Sequence, residues 1–341
     1  MIDLTTGQPW NGTIVLVSDP VDASPITGPF DRRIDRPQPA TVNALAQALK
    51  VCCDRLVIFS DLNTFTARIG QHAHSLVFPY WFGQVSRSRH ALVPAICEAN
   101  RVMFVGADAF VKVVCNDKEL SKAICRQAGL SVPASAIVRR PEDLAYAQYV
   151  GLPVVVKPNY EGTSLGITQR NLCRTWKEVD DVARELLEKL SQPLIIEEFV
   201  PGREFSACMM ARGGDTIAVQ IGSWKIDGQS DYLDNRINSY ELKLPNDIPF
   251  EFELITDTFT PELITAMEDC FCRLGKVDLL RIDGRLSDKN VSIVELTPDI
   301  YLGEDGEFCL AFAPAHAGYA EFISRVVGYC LERYKAHVPV R

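Results

Sequence analysis

The sequence lacks a G-x-G-x-x-G run after its first apolar stretch, where "SDPVDASPITG" stands instead. That absence removes the phosphate turn of a dinucleotide-binding unit. Its 11 cysteines include no Cys-x-x-Cys pair, and its 5 histidines form no cluster, so a structural zinc site is not expected. Cys52 and Cys53 are adjacent, Cys270 and Cys272 are two apart, and the remainder are scattered. An odd, irregular set of this kind gives no disulfide framework and predicts reduced, mostly buried thiols in a cytoplasmic setting. No apolar run approaches the roughly 20 residues of a membrane span. The start, "MIDLTTGQPWNG", has no basic stretch followed by an apolar one, so no secretion signal is expected. Positive charge is also short. With 35 Lys and Arg against 44 Asp and Glu, the net charge of -9 gives no support for a nucleic-acid partner. One pocket can still hold a few cations for an anionic substrate.

What is present is an ordinary globular composition, 47% apolar and 23% charged, over 341 residues. That length suits two or three packed units. In the first, 1–114, the apolar runs at 13–19, 55–61, 75–82 and 101–106 alternate with helical patterns at 39–51 and 88–100. Such a rhythm predicts a parallel sheet, Rossmann-like in shape but without NAD. A second unit, 115–195, opens with "NDKELSKAICRQAGL", with Asn116 as N-cap and Gly129 as stop. It continues through a strand at 135–138, a helix in "PEDLAYAQYVG", the buried strand of "VVVKP" and an amphipathic helix at 175–190. The third, 196–341, holds a helix at 261–275, strands at 278–286 and 291–296, and a helix from about Ala317 to Lys335.

Three stretches carry chemistry. In a hairpin centred on "SDKN" (287–290), Asp283 and Glu295 fall opposite each other. Two carboxylates side by side among apolar residues are costly unless a cation joins them, and hard oxygens suit Mg²⁺ beside nucleotide phosphates. A solvated face, or salt bridges to Arg281 and Arg285, is the plainer reading of the same pair. Lys157 ends a buried strand and is followed by a loop of Glu161, Gly162, Thr163, Ser164 and Gly166, the material of an anion cradle or a mobile lid. "IIEEFVPGREF" is a buried strand broken at Pro201-Gly202, where extended backbone can meet a planar ring.

In order and spacing, "NDKELSKAICRQAGLSVP", "GLPVVVKPNYEGTSLGI", "LIIEEFVPGREF" and "LLRIDGRL…VSIVEL" resemble the ATP-grasp superfamily, within it the D-alanine–D-alanine ligase branch, over residues 105 to 300. The resemblance implies an α/β chain with a Rossmann-like domain followed by a two-lobed ATP-grasp fold. It implies that Lys118 and Lys157 contact ATP phosphates and that Glu161 to Gly166, with Thr163 and Ser164, form the lid. Glu197, Glu198, Phe199 and Val200 would line the adenine slot, and Glu204 would hold the ribose. Asp283 and Glu295 would hold Mg²⁺, two ions in all, with Mn²⁺ as a substitute, and Arg281 would steady an acyl phosphate. The implied reaction is ADP-forming ligation of a small-molecule carboxylate to an amine, with a homodimer left open.

The chain departs from that pattern in several places. Where the family carries Asn after the bridging glutamate, "ELTPD" places Thr297, with Asp299 as a further stand-in. The substrate end differs more. Asp19 and Asp22 replace a glycine-rich loop with its glutamate, Tyr232 and Arg236 stand in for a lysine loop, and "PDIYLGEDGEFCLAF" replaces a Pro-Gly turn. Trp81, Phe82, Arg87 and Arg89 either meet a larger or carboxylate-bearing donor or serve packing or the surface. Glu304, Asp305 and Glu307 form a solvated acidic loop or greet a basic acceptor. The expectation is retained ATP machinery with changed substrates. A thiol or carrier-bound acceptor, and a nucleotide-binding protein without turnover, are the alternatives.

Overall fold

Ile14 to Val17 are fully buried because both faces of their strand are covered. Ile14 and Leu16 face one apolar cluster, and Val15 and Val17 face another, following the period-two alternation of a strand. In this computed structural model the described residues are 10–84, 86–212, 216–244, 247–287, 290–313 and 318–336. Four parallel strands, β1 (Trp10–Ser18), β2 (Cys53–Phe59), β3 (Leu76–Tyr80) and β4 (Met103–Phe104), form the first sheet in the order β2-β1-β3-β4. The helix Pro39–Val51 packs on it through Leu45 and Leu49. The Gly318–Ala336 helix joins the same cluster through Phe322, Val326 and Val327. The expected start of that helix at Ala317 lies outside the described residues.

The second sheet has antiparallel β5 (Ser135–Val138), β6 (Val154–Pro158), β7 (Leu172–Cys173) and β8 (Leu194–Glu198), in the order β5-β8-β6-β7. The helix Trp176–Leu190 covers it with Val179, Val182, Ala183, Leu186 and Leu190. Its start is fixed by a reciprocal cap between Thr175 and Glu178. Two expectations need correction. The helix Lys118–Gln127 is capped by Asp117, whose side chain accepts from the N–H groups of Glu119 and Leu120, while Asn116 ends the preceding helix. The helix expected in "PEDLAYAQYVG" is a short turn followed by only Leu144–Ala147, since Gly151 and Pro153 follow closely.

The third sheet has β9 (Arg203–Ala211), β10 (Ile217–Ile226), β11 (Phe250–Leu254), β12 (Leu279–Leu286) and β13 (Val291–Thr297), in the antiparallel order β11-β10-β9-β12-β13. Asp288 and Lys289, at the tip of the expected 287–290 turn, lie outside the described residues. The turn still closes through the Ser287 N–H, 3.0 Å from the Asn290 carbonyl. At the break between β8 and β9, Gly202 has φ +129, and a Cβ there would stand 2.5 Å from the Leu286 carbonyl oxygen. Gly202→Ala is therefore expected to lower the unfolding free energy by about 1–3 kcal/mol. Urea unfolding checks this, and an unchanged midpoint would reject it.

The first sheet is tied to the second by residues 28–36. Phe30 and Ile34 pack against the core of the second sheet, and the Gly166 N–H donates to the Pro29 carbonyl at 2.6 Å.

Candidate active site

Because Asp117 caps the helix, Lys118 sits in its first turn and Lys122 one turn later on the same face. The Lys118 Nζ is 2.8 Å from Glu295 Oε1 and also donates to the Glu161 carbonyl. Lys122 donates to Glu197 Oε2, and Lys157 on β6 reaches Glu197 Oε1 at 2.8 Å. Burial pushes the Glu197 carboxyl up, but the two lysines outweigh it and hold it at about 2. Burial pushes Lys122 below the usual lysine range, and Glu197 only partly restores it. Glu197, expected at the ring slot, thus turns its carboxylate inward as a counter-ion. Glu198 is exposed, while Phe199 packs with Val155 and Ile237 in a small apolar cluster and Val200 is half-buried. Glu204 pairs with Arg285 at 2.9 Å.

The hairpin places Asp283 directly opposite Glu295 and Arg281 opposite Thr297, in the register expected from the sequence. The Arg281 Nε lies 2.8 and 3.0 Å from the two Asp283 oxygens, and the Ser206 hydroxyl donates to Oδ1 at 2.7 Å. The Thr297 hydroxyl is 3.5 Å from Oδ2. Burial raises the Asp283 carboxyl above its ordinary range, Glu295 and Glu307 add to this, and Arg281 opposes it. For Glu295 burial also acts upward, yet Lys118 and Lys157 prevail and lower it. Among the described residues no three His, Cys, Asp or Glu side chains form a metal-holding group. Two hard carboxylates and a hydroxyl, one acid strained toward protonation, nonetheless fit a divalent cation that takes its remaining ligands from water or phosphate.

Asp299 does not share that corner's partners. Its Oδ1 accepts from Lys112, and its Oδ2 lies 3.0 Å from His90 Nδ1, whose Nε2 is 3.3 Å from Asp35. Both oxygens are committed, which leaves Thr297 as the stand-in nearer the acids. Asp299→Asn is expected to cost about 3–5 kcal/mol of stability by stranding the buried Lys112 charge. The Mg²⁺ concentration for half-maximal turnover should stay unchanged, and a shifted Mg²⁺ titration would return Asp299 to the metal corner.

The lid is docked. Glu161 accepts from Arg32 at 2.7 Å, from Arg89 at 3.0 Å and from Gln192 at 2.6 Å. Gly162 faces Asp35, and Thr163 donates to Asp35 Oδ1 at 2.7 Å. Ser164 donates to the Asn238 carbonyl at 2.7 Å. Thr163 and Ser164 have φ 49 and 55, left-handed values that these side-chain bonds help hold.

At the end where substrate contacts were expected, several of the named residues are occupied by the protein itself. Arg89 is buried on Asp35 and Glu161, which agrees with the packing alternative expected for it. Arg87 lies over the Tyr160 ring, and Arg236 over Tyr232. Asp19 accepts from the N–H groups of Phe82 and Gly83, and Asp22 pairs with Arg33. Phe82 packs against Tyr80 and His90, and Trp81 flanks the cluster beneath the first sheet. Glu304 and Asp305 are exposed, whereas Glu307 is drawn inward to Arg281 and Trp224. Sequence reasoning missed Lys122, which four-residue spacing from Lys118 signals, and Arg32, Asp35, His90 and Lys112, for which no local signal exists.

A two-lobed antiparallel arrangement behind a parallel sheet, with lysines and paired acids between the lobes, defines an ATP-grasp architecture. The family model for the D-alanine–D-alanine ligase C-terminus matches residues 124–320, more than half of the chain. The chain belongs to that family, whose D-alanine–D-alanine ligases are ATP-dependent and ADP-forming. D-alanine–D-alanine ligase A of Mesorhizobium japonicum is 25% identical over 273 residues, 76% of this chain and 72% of that protein. The corresponding enzyme of Salmonella typhimurium is 25% identical over 245 residues, 69% of this chain and 64% of that protein. The chain thus spans about two thirds of the length of such relatives. The crystal structure of a D-alanine–D-alanine ligase from Bacillus anthracis complexed with ATP aligns with TM-score 0.70 at 16% identity, covering 96% of this chain and 100% of that one. A D-Ala:D-Ser ligase from Enterococcus faecalis aligns with TM-score 0.67 at 16% identity, covering 94% and 100%. At such identity these two likenesses speak to the fold, and they agree with the expected Rossmann-like domain followed by an ATP-grasp fold.

Proposed function

We propose that the chain joins a small carboxylate donor to an amine acceptor, through an acyl phosphate, on substrates other than a pair of D-alanines. The observation that carries this reading is that Lys118, Lys157, Asp283 and Glu295 meet in one place, with Lys118 bridging the lid carbonyl and the bridging acid. A carboxylate does not acylate an amine in water because its oxygen leaves poorly. As an acyl phosphate it leaves readily. Lys118 and Lys157 would neutralise phosphoryl oxygens, Asp283 and Glu295 with Thr297 would hold Mg²⁺, and Arg281 would steady charge on the reacting carbonyl. The bound cation would supply further charge neutralisation. The lid residues Glu161 to Gly166 would exclude water from the intermediate. The apolar cluster of Val155, Phe199 and Ile237 suits a planar ring, and Glu204 a ribose hydroxyl. The division at 114/115 and 195/196 belongs to the same reading.

Changed substrates follow from the donor end. Asp19 and Asp22 are occupied internally, and Arg89 is held by two acids. The test is a phosphate-release screen over paired amino acids with mass spectrometry of any product. The expected result is amino-acid-dependent ADP and phosphate with a new amide. AMP and pyrophosphate would reject the acyl-phosphate scheme, and nucleotide binding without any release would mark a protein that does not turn over.

A further inference from the structure

Residues 22–36, which follow β1, form a tongue with a closed base. At the base the Val21 N–H lies 2.9 Å from the Pro37 carbonyl, and Arg36 donates to the Asp19 and Pro20 carbonyls at 2.8 and 2.7 Å. Within the tongue Arg33 pairs with Asp31 at 2.6 Å and with Asp22 at 3.1 Å, and the Thr27 N–H and hydroxyl both donate to Asp31. A loop with its ends together, braced by its own side chains, is a compact unit. None of residues 22–36 is fully buried. Phe30 and Ile34 pack against the core of the second sheet, and both stay half-buried. A cavity of about 290 Å³ lies beside Pro29, Phe30, Gly166 and Leu186, and an open cleft of about 700 Å³ beside Thr27, Arg32, Arg36 and Gln84. Open space on its flanks and little apolar burial make the tongue an element of low local stability.

Its polar contacts converge on the lid. Arg32 gives Nη1 to Glu161 at 2.7 Å, Asp35 accepts from the Thr163 hydroxyl at 2.7 Å, and Pro29 accepts from the Gly166 N–H at 2.6 Å. These three partners stand at the start, the middle and the end of the stretch 161–166, so the tongue holds the lid along its whole length. Asp35 also faces Arg89 at 3.0 Å and His90 at 3.3 Å, and it keeps those partners when Thr163 leaves. It is a fixed post. Arg32 is different, because its side chain is 38% exposed and Glu161 is its only partner among the described residues.

We propose that the tongue latches the lid shut over the nucleotide, with Arg32 and Asp35 as positioning residues, and that its release sets the rate at which nucleotide leaves. This assignment rests on the ATP-binding reading above and adds to it the segment that holds the lid. Lid opening breaks the Arg32–Glu161 pair, a charge-assisted contact. Since solvent reaches Arg32, dissolved salt weakens that pair.

The test follows a fluorescent nucleotide, mant-ADP, chased from the full chain by excess ADP with Mg²⁺ present. Wild type, Arg32→Gln and Arg32→Lys are compared. Arg32→Gln is expected to release mant-ADP about tenfold faster or more, and Arg32→Lys, which keeps the charge, to recover most of the difference. Melting midpoints should stay within about 4 °C of each other, since Arg89 and Gln192 still hold Glu161. Release from wild type should quicken between about 50 and about 500 mM NaCl, and more steeply than from Arg32→Gln, as the exposed pair is screened. An arginine that only braces the fold predicts a lowered melting midpoint with release unchanged. Release from Arg32→Gln within about twofold of wild type, or equal salt slopes in the two, overturns the assignment. If wild type binds no mant-ADP, the ATP-binding reading itself falls and the latch with it.

Discussion

Lys157→Ala is expected to cut ATP turnover by about a hundredfold or more, the scale seen when a fixed donor to developing charge is removed. The loss of stability should be no more than about 3 kcal/mol, because Glu197 keeps Lys122 as a partner. Glu197→Gln should give the reverse pattern. Two buried lysines would then face each other without a counter-ion, at a cost of about 3–5 kcal/mol. The pH dependence separates the two variants. The Glu197 carboxyl moves from the unfolded 4.5 to about 2 in the folded chain. Such a lowered acid stabilises fully above 4.5, and its contribution fades as pH falls from there toward 2. A shift of that size is worth about 3 kcal/mol. Urea unfolding between pH 5 and 2.5 should show a smaller acid-side loss in Glu197→Gln than in the wild type, because the other lowered acids such as Asp299 still titrate there. Normal turnover in Lys157→Ala would remove the lysine from the phosphate site.

Asp283→Asn is expected to lower turnover by about a hundredfold and to raise the Mg²⁺ needed for half-maximal rate by about tenfold or more. Asparagine resembles the protonated form toward which burial already pushes this acid, so folding should suffer little, with a thermal midpoint within about 4 °C of wild type. Glu295→Gln should lose turnover to a similar degree but be less stable, since Lys118 forfeits its carboxylate. A Mg²⁺ titration of each variant beside a melting curve checks both statements. Unaltered Mg²⁺ dependence in Asp283→Asn would remove the acid from the metal corner.

The hairpin of Asp283 and Glu295 was legible in the sequence because alternation and a turn-prone tetrapeptide fix register to within one residue, and a bulge after Asp283 supplies the remaining step. The helices 39–51, 176–190 and 261–274 were legible for the same kind of reason, as each carries a periodic apolar stripe ended by a recognisable cap or stop. β10 and β11 were not. β11 lies at the sheet edge with exposed and half-buried residues, as in "FEFEL", and β10 carries no regular alternation of buried and open positions, so neither gives clear contrast between faces. The docking of residues 28–36 against the second sheet and the 161–166 loop was also illegible, for "PFDRRIDR" reads as a polar turn and only its partners reveal why Phe30 and Ile34 are apolar. Asp35, His90, Lys112 and Asp299 come from four distant stretches, and the topology of the sheets alone makes them neighbours. Hence the contacts built from local motifs were readable, and those built from long-range charge pairs were not.

The packing of Phe322, Val326 and Val327 against Leu45 and Leu49 has a consequence for synthesis. The opening parallel sheet emerges from the ribosome long before the helix that seals one of its faces. During that interval the nascent chain carries an uncovered apolar surface, which is closed over only after translation has passed residue 331.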